Sequence, residues 1–405
     1  MTRTGSAFAL AVLVAAPAVL APAAAARPAP QALVFGDVTI ADGLGTAPRK
    51  GSVAIVDGRL VLGTGPSGAR RVAVDGAWLA PGFVEPSGRA GYVHADAEGT
   101  REMTPDVDAR DLADVRSSAF REAAFEGCTT VVLAPGATNV VGGLTQAFHA
   151  WTPEGAAVPI AGAPQALQIA LADEPTNGNF PPRSGPTTSI YARRPTTRMG
   201  VVWMLRQTFL AAKGVQQPPD GADLARYRDV LEGRRTLRVV SHAVQDLNAG
   251  VRLADEAGFR YVLEGADEGY MVREALGRRA TQVISGPLPS VTSGVGPEFT
   301  DTALRNTAIL REAGCTVALT AGAQGGRWLR EQAMFAARYG LTRDEALAAA
   351  TSVAADICGL PDRGRIAEGA AADVVLWSGH PLLPSSRMLM VVVDGRVVFD
   401  RTGEE

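Results

Sequence analysis

Short apolar runs and longer helix-like runs alternate along the second half of this 405-residue chain, and this alternation restricts its fold more than any other feature. The apolar runs are residues 237–241, 261–264, 281–285 and 316–320, and the helix-like runs are residues 246–257, 271–279, 302–313 and 328–339. Gly258, Gly314 and Gly340 stand where three of these helices would end, as C-terminal glycines do. Strands that alternate with helices in this way are typical of parallel βα units. From about Pro81 to Leu360 the pattern predicts a barrel-like α/β domain.

Both ends of the chain carry short strand-like runs instead. Near the start these are residues 32–40, 52–57 and 59–62, and near the end they are residues 372–377, 388–393 and 396–400. Asp57-Gly58 separates two of the runs, and such a pair between apolar runs favours a two-residue hairpin turn. We therefore predict one small β domain that is discontinuous in sequence, from residues 32–80 and 361–400. The barrel domain is predicted to occupy residues 81–360.

Residues 1–26 have the pattern of a secretory signal peptide. Arg3 supplies the positive charge, residues 8–20 form the short apolar segment, and Ala24-Ala25-Ala26 are the small residues of a cleavage site. A retained membrane anchor is the alternative, but the apolar segment is short and contains Pro17. We predict an exported protein, periplasmic or extracellular, without membrane attachment after cleavage. A net charge of −3 and a pI of about 5.9 give no basic surface of the kind that nucleic-acid binding requires.

The segment of residues 79–91 begins with apolar and turn residues and continues as an extended run. Side chains in a strand repeat every two residues, so we expect Glu85, Ser87 and Arg89 on one face. This segment resembles the opening strand of the amidohydrolase superfamily, in which a Pro-Gly-Phe-Ile-Asp run precedes a His-x-His pair. The resemblance extends to residues 127–131, 135–143 and 364–375, and the second of these runs is similar to a loop of exported imidazolonepropionase-like members.

The resemblance implies a (β/α)8 TIM-like barrel with a small discontinuous β-sandwich domain formed by both chain ends. It also implies a divalent metal ion at the barrel mouth, which polarises a carbonyl group and lowers the pKa of a bound water. The implied ligand positions carry residues that do not supply the expected ligands, namely Ser87, Arg89, Val240, Gly265 and Gly322. In a shifted register His242 would itself be a ligand. We therefore predict that the metal site is lost and that the protein has no cofactor.

Glu85, His242 and Glu264 remain as candidates for chemistry at the barrel mouth. We expect Arg89 either to supply the positive charge that the metal would otherwise bring, or to point to solvent. A second group of polar residues is a solvated loop or a cation site, and consists of His94, Asp96, Glu98, Glu102 and Asp106.

Two loops, residues 177–194 and 283–300, are long and rich in Pro, Gly and Ser. At the carboxyl ends of barrel strands such loops would cover the mouth, and elsewhere they would only decorate the surface.

Two functions follow from these features. The first is a non-catalytic homologue that binds a small molecule in the barrel mouth, forms a homo-oligomer or pairs with an active amidohydrolase. The alternative is a hydrolase of carbon–nitrogen bonds, in non-peptide or dipeptide amides, with a rearranged site around Glu85, His242 and Glu264. The alternative requires zinc or another divalent metal, or an acid/base pair in its place.

Overall fold

The computed structural model describes residues 32–92, 97–98, 101–177, 179, 194–217, 223–288 and 301–403. The predicted signal peptide, residues 1–26, lies outside the described residues. The strands are β1 (Leu33–Ile40), β2 (Arg49–Val56), β3 (Arg59–Leu62), β4 (Arg70–Val72), β5 (Trp78–Pro81), β6 (Phe83–Gly88), β7 (Cys128–Leu133), β8 (Val141–Leu144), β9 (Gln146–His149), β10 (Val158–Pro159), β11 (Leu167–Ala170), β12 (Leu237–Ser241), β13 (Tyr261–Gly265), β14 (Gln282–Ser285), β15 (Thr316–Leu319), β16 (Val374–Trp377), β17 (Met388–Val393) and β18 (Arg396–Asp400).

The α-helices are α1 (Ala109–Leu112), α2 (Ser118–Phe125), α3 (Arg198–Ala212), α4 (Ala225–Leu231), α5 (Val244–Ala257), α6 (Arg273–Gly277), α7 (Asp301–Leu304), α8 (Asn306–Glu312), α9 (Leu329–Arg338), α10 (Arg343–Ala349) and α11 (Ser352–Ile357). Short 3-10 helices occur at Glu174–Thr176, Gly269–Met271, Gly322–Gln324 and Gly326–Trp328. Within the part of the chain that the structure covers, no helix has the length and apolarity needed to cross a membrane.

Strands from both ends of the chain form one eight-stranded sheet. Its order is β18-β17-β16-β5-β1-β2-β3, with β4 paired to β1. The two ends meet where β16 runs antiparallel to β5. At both Asp57-Gly58 and Asp394-Gly395 the two residues have positive φ, as a two-residue hairpin turn of type I′ requires. The structure thus contains the hairpin predicted at Asp57-Gly58, whereas the sandwich arrangement and the domain boundaries stay predictions.

The alternating region contains parallel βα units, as the sequence predicts. A six-stranded sheet has the order β15-β14-β13-β12-β11-β8, and its strands from β11 to β15 are all parallel. A four-stranded sheet has the order β10-β9-β7-β6, in which β6 and β7 are parallel. Helices α5, α8 and α9 follow β12, β14 and β15, and each presents buried apolar residues. We call the edge formed by the carboxyl ends of β6, β11, β12, β13 and β15 the mouth.

The sheet ladders differ from the predicted barrel in one respect. Among the described residues, backbone hydrogen bonds do not close the two sheets into a single barrel. Short antiparallel strands interrupt the parallel order between β7 and β11, and β15 and β6 are edge strands that do not pair with each other. Gly143 has a φ of +126°, and a Cβ there would lie 2.4 Å from the carbonyl oxygen of Val107. Only glycine allows the backbone to pass so close to another segment.

Candidate functional site

Glu85 is a completely buried carboxyl group on β6 that ties this strand to the end of β15. Its Oε1 accepts hydrogen bonds from the Ser87 backbone nitrogen, at 3.0 Å, and from the Thr320 hydroxyl. Its Oε2 accepts a hydrogen bond from the Ala321 backbone nitrogen, at 2.8 Å. Burial raises the pKa of Glu85 to about 7, although these hydrogen bonds oppose the change, and the charge of Glu264 adds to it. Both oxygens of Glu85 are therefore occupied by partners from the protein.

An ion pair lies beside it, between the buried Arg238 on β12 and the partly buried Glu264 on β13. Arg238 Nη2 lies 2.7 Å from Glu264 Oε2, and the Ser87 hydroxyl donates to Glu264 Oε1. The guanidinium also donates from Nη1 to the carbonyl oxygen of Pro86, at 2.7 Å. Arg238 is only 3% exposed. The pair links β6, β12 and β13, and it brings together two predicted site residues, Ser87 and Glu264.

Arg238 was missed by the sequence reasoning, although a signal is present in the sequence. It is a charged residue within the otherwise apolar run Leu237-Arg238-Val239-Val240, in which every residue is buried. A charge at such a position is retained in a folded protein only when it is paired. The sequence analysis expected Arg89 to share a strand face with Glu85 and Ser87. Strand β6 ends at Gly88, so Arg89 lies just beyond the strand. The cation paired with Glu264 is Arg238, and a cation role for Arg89 stays a prediction.

The remaining implied ligand positions lie along the mouth. Val240 is a buried residue of β12. Gly265 ends β13 with a φ of +89°, and a Cβ at this position would lie 2.6 Å from the ring of His242. The imidazole of His242 thus takes the space that a side chain at position 265 would need. Gly322 follows β15 with a φ of +55°, and a Cβ there would lie 3.2 Å from the Pro287 ring.

The residues present do not fit the metal that the resemblance implies. Ser87, Val240, Gly265 and Gly322 offer one hydroxyl group and no imidazole or carboxylate between them. Zinc and its relatives are held in proteins by several imidazole, thiolate or carboxylate ligands. No group of three or more His, Cys, Asp or Glu side chains is placed to hold a metal ion within the described ranges.

His242 follows β12 and lies between two carboxylates. Its Nδ1 is 3.0 Å from Asp267 Oδ2, and its Nε2 is 3.6 Å from Glu174 Oε1. Burial favours the neutral ring, but the hydrogen bond and charge of Asp267, together with Glu174, prevail and raise the pKa of His242 to about 9. In its protonated form this imidazole has no lone pair for a metal and is a cation between two carboxylates.

Further charged residues surround His242 on the loops that follow β11, β12 and β13. Arg198, at the start of α3, lies with its Nε 3.0 Å from Asp246 Oδ1 and its Nη2 3.9 Å from Asp173 Oδ2. We call this group the mouth cluster, and it consists of Asp173, Glu174, Arg198, His242, Asp246 and Asp267. The sequence reasoning singled out only His242 among them. A position shortly after a parallel strand is the signal that could have found Asp173, Glu174 and Asp267.

The second predicted cluster is only partly described. His94 and Asp96 lie outside the described residues. Of the others, Glu102 lies 3.6 Å from Arg194, and Asp106 lies 3.2 Å from Arg101. The carboxylates of Glu102 and Asp106 are thus paired with arginines. The two long loops, residues 177–194 and 283–300, fall mostly outside the described residues as well, so whether they cover the mouth or decorate the surface stays open.

Comparison with known proteins identifies relatives of this chain. A family model described as "Amidohydrolase family" matches residues 326–399. An imidazolonepropionase of Anaeromyxobacter dehalogenans is 36% identical over 173 residues, which is 39% of this chain and 39% of that protein. An imidazolonepropionase of Anaeromyxobacter sp. (strain K) is also 36% identical, over 171 residues. The match thus spans well under half of the length of these curated relatives.

The structural similarity is more extensive. A solved amidohydrolase from Thermotoga maritima superposes with a TM-score of 0.78 at 27% sequence identity, over 91% of this chain and 100% of that one. A prolidase solved with N-methylphosphonate-L-proline superposes with a TM-score of 0.59 at 17% identity, and this shows a shared fold alone. These neighbours indicate a TIM-barrel-like α/β fold.

Proposed function

The chain is an imidazolonepropionase-like protein of the amidohydrolase superfamily, and we propose that it is a non-catalytic member whose mouth binds a small molecule without a metal ion. A fold by itself does not fix a function, so this proposal is drawn from the site. It rests on the way in which the charges of the site are balanced.

One observation carries the proposal, namely the environment of Glu264. One carboxylate oxygen accepts from the Ser87 hydroxyl, and the other lies 2.7 Å from the Arg238 guanidinium. A metal site needs carboxylate oxygens that are free to coordinate, whereas a bound guanidinium already supplies both positive charge and directed donors. Arg238 is fixed in turn by its hydrogen bond to the Pro86 carbonyl oxygen. The protein's own cation thus neutralises the carboxylate that adjoins Gly265, an implied ligand position that carries no ligand.

His242 supports the same conclusion at the mouth. Both of its ring nitrogens face carboxylates, and its raised pKa favours the imidazolium form at neutral pH. Metal binding at this residue would require the loss of that proton. The carboxylates of Glu264, Asp267 and Glu174 are therefore paired with arginine and imidazolium groups of the protein itself.

The alternative is a hydrolase of carbon–nitrogen bonds, and one observation favours it. The pKa of Glu85 is raised to about 7, which suits a general base at neutral pH. The curated relatives are also enzymes by name, as imidazolonepropionases. However, Glu85 is completely buried and its oxygens are bound by Ser87, Thr320 and Ala321, so a substrate would have to displace these partners. We therefore prefer the non-catalytic function.

Export and assembly belong to the proposal as well. We propose that the protein acts in the periplasm or outside the cell, and that it functions alone, as a homo-oligomer or beside a catalytically complete relative. Size-exclusion chromatography with light scattering of the purified protein measures the oligomeric state.

The function is tested by hydrolysis and metal response together. The purified protein is incubated with hydantoin, a cyclic amide, and with the dipeptide Ala-Pro, each with and without added Zn²⁺ or Mn²⁺. We expect no product above the blank, and a melting temperature that EDTA leaves unchanged. Metal-stimulated hydrolysis that is lost in Glu264→Gln or His242→Gln would establish the alternative. The matched control is Glu274→Gln, the same change in helix α6 at a residue outside the mouth cluster.

A further inference from the structure

A cavity of about 140 Å³ lies at the end of the parallel sheet opposite the mouth. Its position follows from lining residues at the amino ends of the strands. Ala166 and Thr236 directly precede β11 and β12, and Gln282 begins β14. Thr236 and Gln282 are exposed, and so are Asp356 and Gly359 on the other side of the cavity, so it opens to solvent between them.

The inner wall of this cavity is apolar. It is formed by buried side chains from four strands and from helix α11, namely Val132, Ala147, Val262, Ile284 and Ile357. Cys358 also lines the cavity, and burial raises the pKa of its thiol to about 12. The thiol is therefore uncharged at neutral pH and behaves as a small apolar group. Because protein interiors contain few spaces larger than a water molecule, a space of this size indicates room for a ligand.

The uncharged polar side chains of the lining do not call for a polar ligand. The Thr145 hydroxyl accepts a hydrogen bond from the Ala166 backbone nitrogen, at 2.9 Å. Gln165 Nε2 donates to Asp108 Oδ2, at 2.8 Å. Thr236 and Gln282 lie at the open rim, where water reaches them. The polar groups are thus served by the protein or by solvent.

The two charged side chains of the lining are paired as well. Arg238 is bound to Glu264, and Asp356 Oδ1 lies 2.5 Å from Arg365 Nη2. Arg238 Nε has no hydrogen-bond partner among the described residues, but it has almost no accessible surface, so a ligand in the cavity does not reach it. A charged ligand would lose its hydration here without gaining a counter-ion.

We propose that this cavity binds a small, uncharged, apolar molecule of about the size of benzene or toluene. An engineered apolar cavity of about 150 Å³ in another protein binds benzene or xenon, so the volume suits such a ligand. Transfer of apolar surface from water to the inner wall supplies the driving force. This second site lies at the other end of the strands from the mouth and is independent of the function proposed there.

The test compares toluene with N-methylpyridinium, which has the same shape and a positive charge, by isothermal titration calorimetry at pH 7.5. We expect toluene to bind at least tenfold more tightly. Ala147→Leu adds three carbon atoms to the inner wall and should weaken toluene binding at least tenfold. The matched control, Ala47→Leu, makes the same change at an exposed position outside the lining and should alter binding less than twofold.

A second variant keeps the test decisive if the larger side chain at position 147 prevents folding. Cys358→Met extends a flexible side chain into the same cavity from the end of helix α11, and it should weaken toluene binding at least fivefold.

Three results would overturn the inference. The first is a folded wild-type protein that does not bind toluene, and the second is equal affinity for toluene and N-methylpyridinium. The third is a toluene affinity that the folded cavity variants leave unchanged, which would place the ligand elsewhere. None of these results bears on the mouth, because Ala147 and Cys358 lie outside the mouth cluster.

Discussion

Two charged regions of this protein lie near one another and are satisfied to different degrees. In the interior pair of Arg238 and Glu264, both carboxylate oxygens have partners and the guanidinium binds a backbone carbonyl as well. In the mouth cluster, Asp246 Oδ2 and Glu174 Oε2 have none. Buried polar groups that are fully bonded stabilise one arrangement, whereas unsatisfied groups persist where a function requires them.

This difference predicts opposite contributions to stability. The carboxylate of the interior pair has partners on both oxygens, although Arg238 Nε has none among the described residues, so these two residues should matter for folding. In the mouth cluster, Asp246 Oδ2 and Glu174 Oε2 are unsatisfied among the described residues, so the buried carboxylate of Asp246 should cost stability. The three predictions below test this contrast.

The largest effect is expected from Arg238→Met, because it leaves the Glu264 carboxylate buried without its cation. Removal of one member of a buried ion pair typically costs about 3–5 kcal/mol of the free energy of unfolding. Urea denaturation measures this loss. The double variant Arg238→Met/Glu264→Leu removes both charges and should regain much of the stability. A single variant as stable as the wild type would show that the pair is not structural.

A smaller effect of opposite sign is expected from Asp246→Asn in the mouth cluster. Burial raises the pKa of Asp246 to about 6 from its ordinary value near 4, so the folded state disfavours the charge at neutral pH. The variant should gain about 1–2 kcal/mol at pH 7.5, since the shift outweighs the roughly 0.5 kcal/mol that a charge at a helix start contributes. The gain should vanish below pH 4, where Asp246 is protonated in both states. A loss of stability at pH 7.5 would place Asp246 with the structural residues.

The smallest effect concerns His242, which is 37% exposed in its side chain. Its pKa is raised to about 9, so its contribution to stability is present below the unfolded value of about 6.5 and is lost as the pH rises through 9. Solvent screening limits it to about 1 kcal/mol. Wild type and His242→Gln should thus differ in melting temperature at pH 6 and converge at pH 10. A difference that persists at pH 10 would mean that packing, rather than charge, stabilises this residue.

The sequence predicted secondary structure where local signals are strong. Strand β12 (Leu237–Ser241) has the predicted bounds, and α5 (Val244–Ala257) begins two residues before the helix predicted at residues 246–257. In the stretch between β7 and β11, which contains Gly142-Gly143, the short antiparallel strands were not predicted. Their pairing depends on contacts between distant segments, and no local pattern encodes these contacts.

The site could be predicted only in part, for a related reason. The replacement of the ligand positions by Ser87, Gly265 and Gly322 was visible in the sequence, because it needs only a motif and its register. The partnership of Arg238 with Glu264 was not visible, because these residues are 26 positions apart and meet only when β12 and β13 pair. Likewise the unsatisfied oxygen of Asp246 is a property of the folded loops.

The central claim is that this protein balances the carboxylates of its mouth with its own cations rather than with a metal. Elemental analysis of the purified protein, expressed with zinc, manganese and iron supplied, tests this claim most directly. The account predicts that none of these metals is present at a stoichiometric level, and that the protein remains folded. One equivalent of any of them per chain, retained through dialysis, would contradict it.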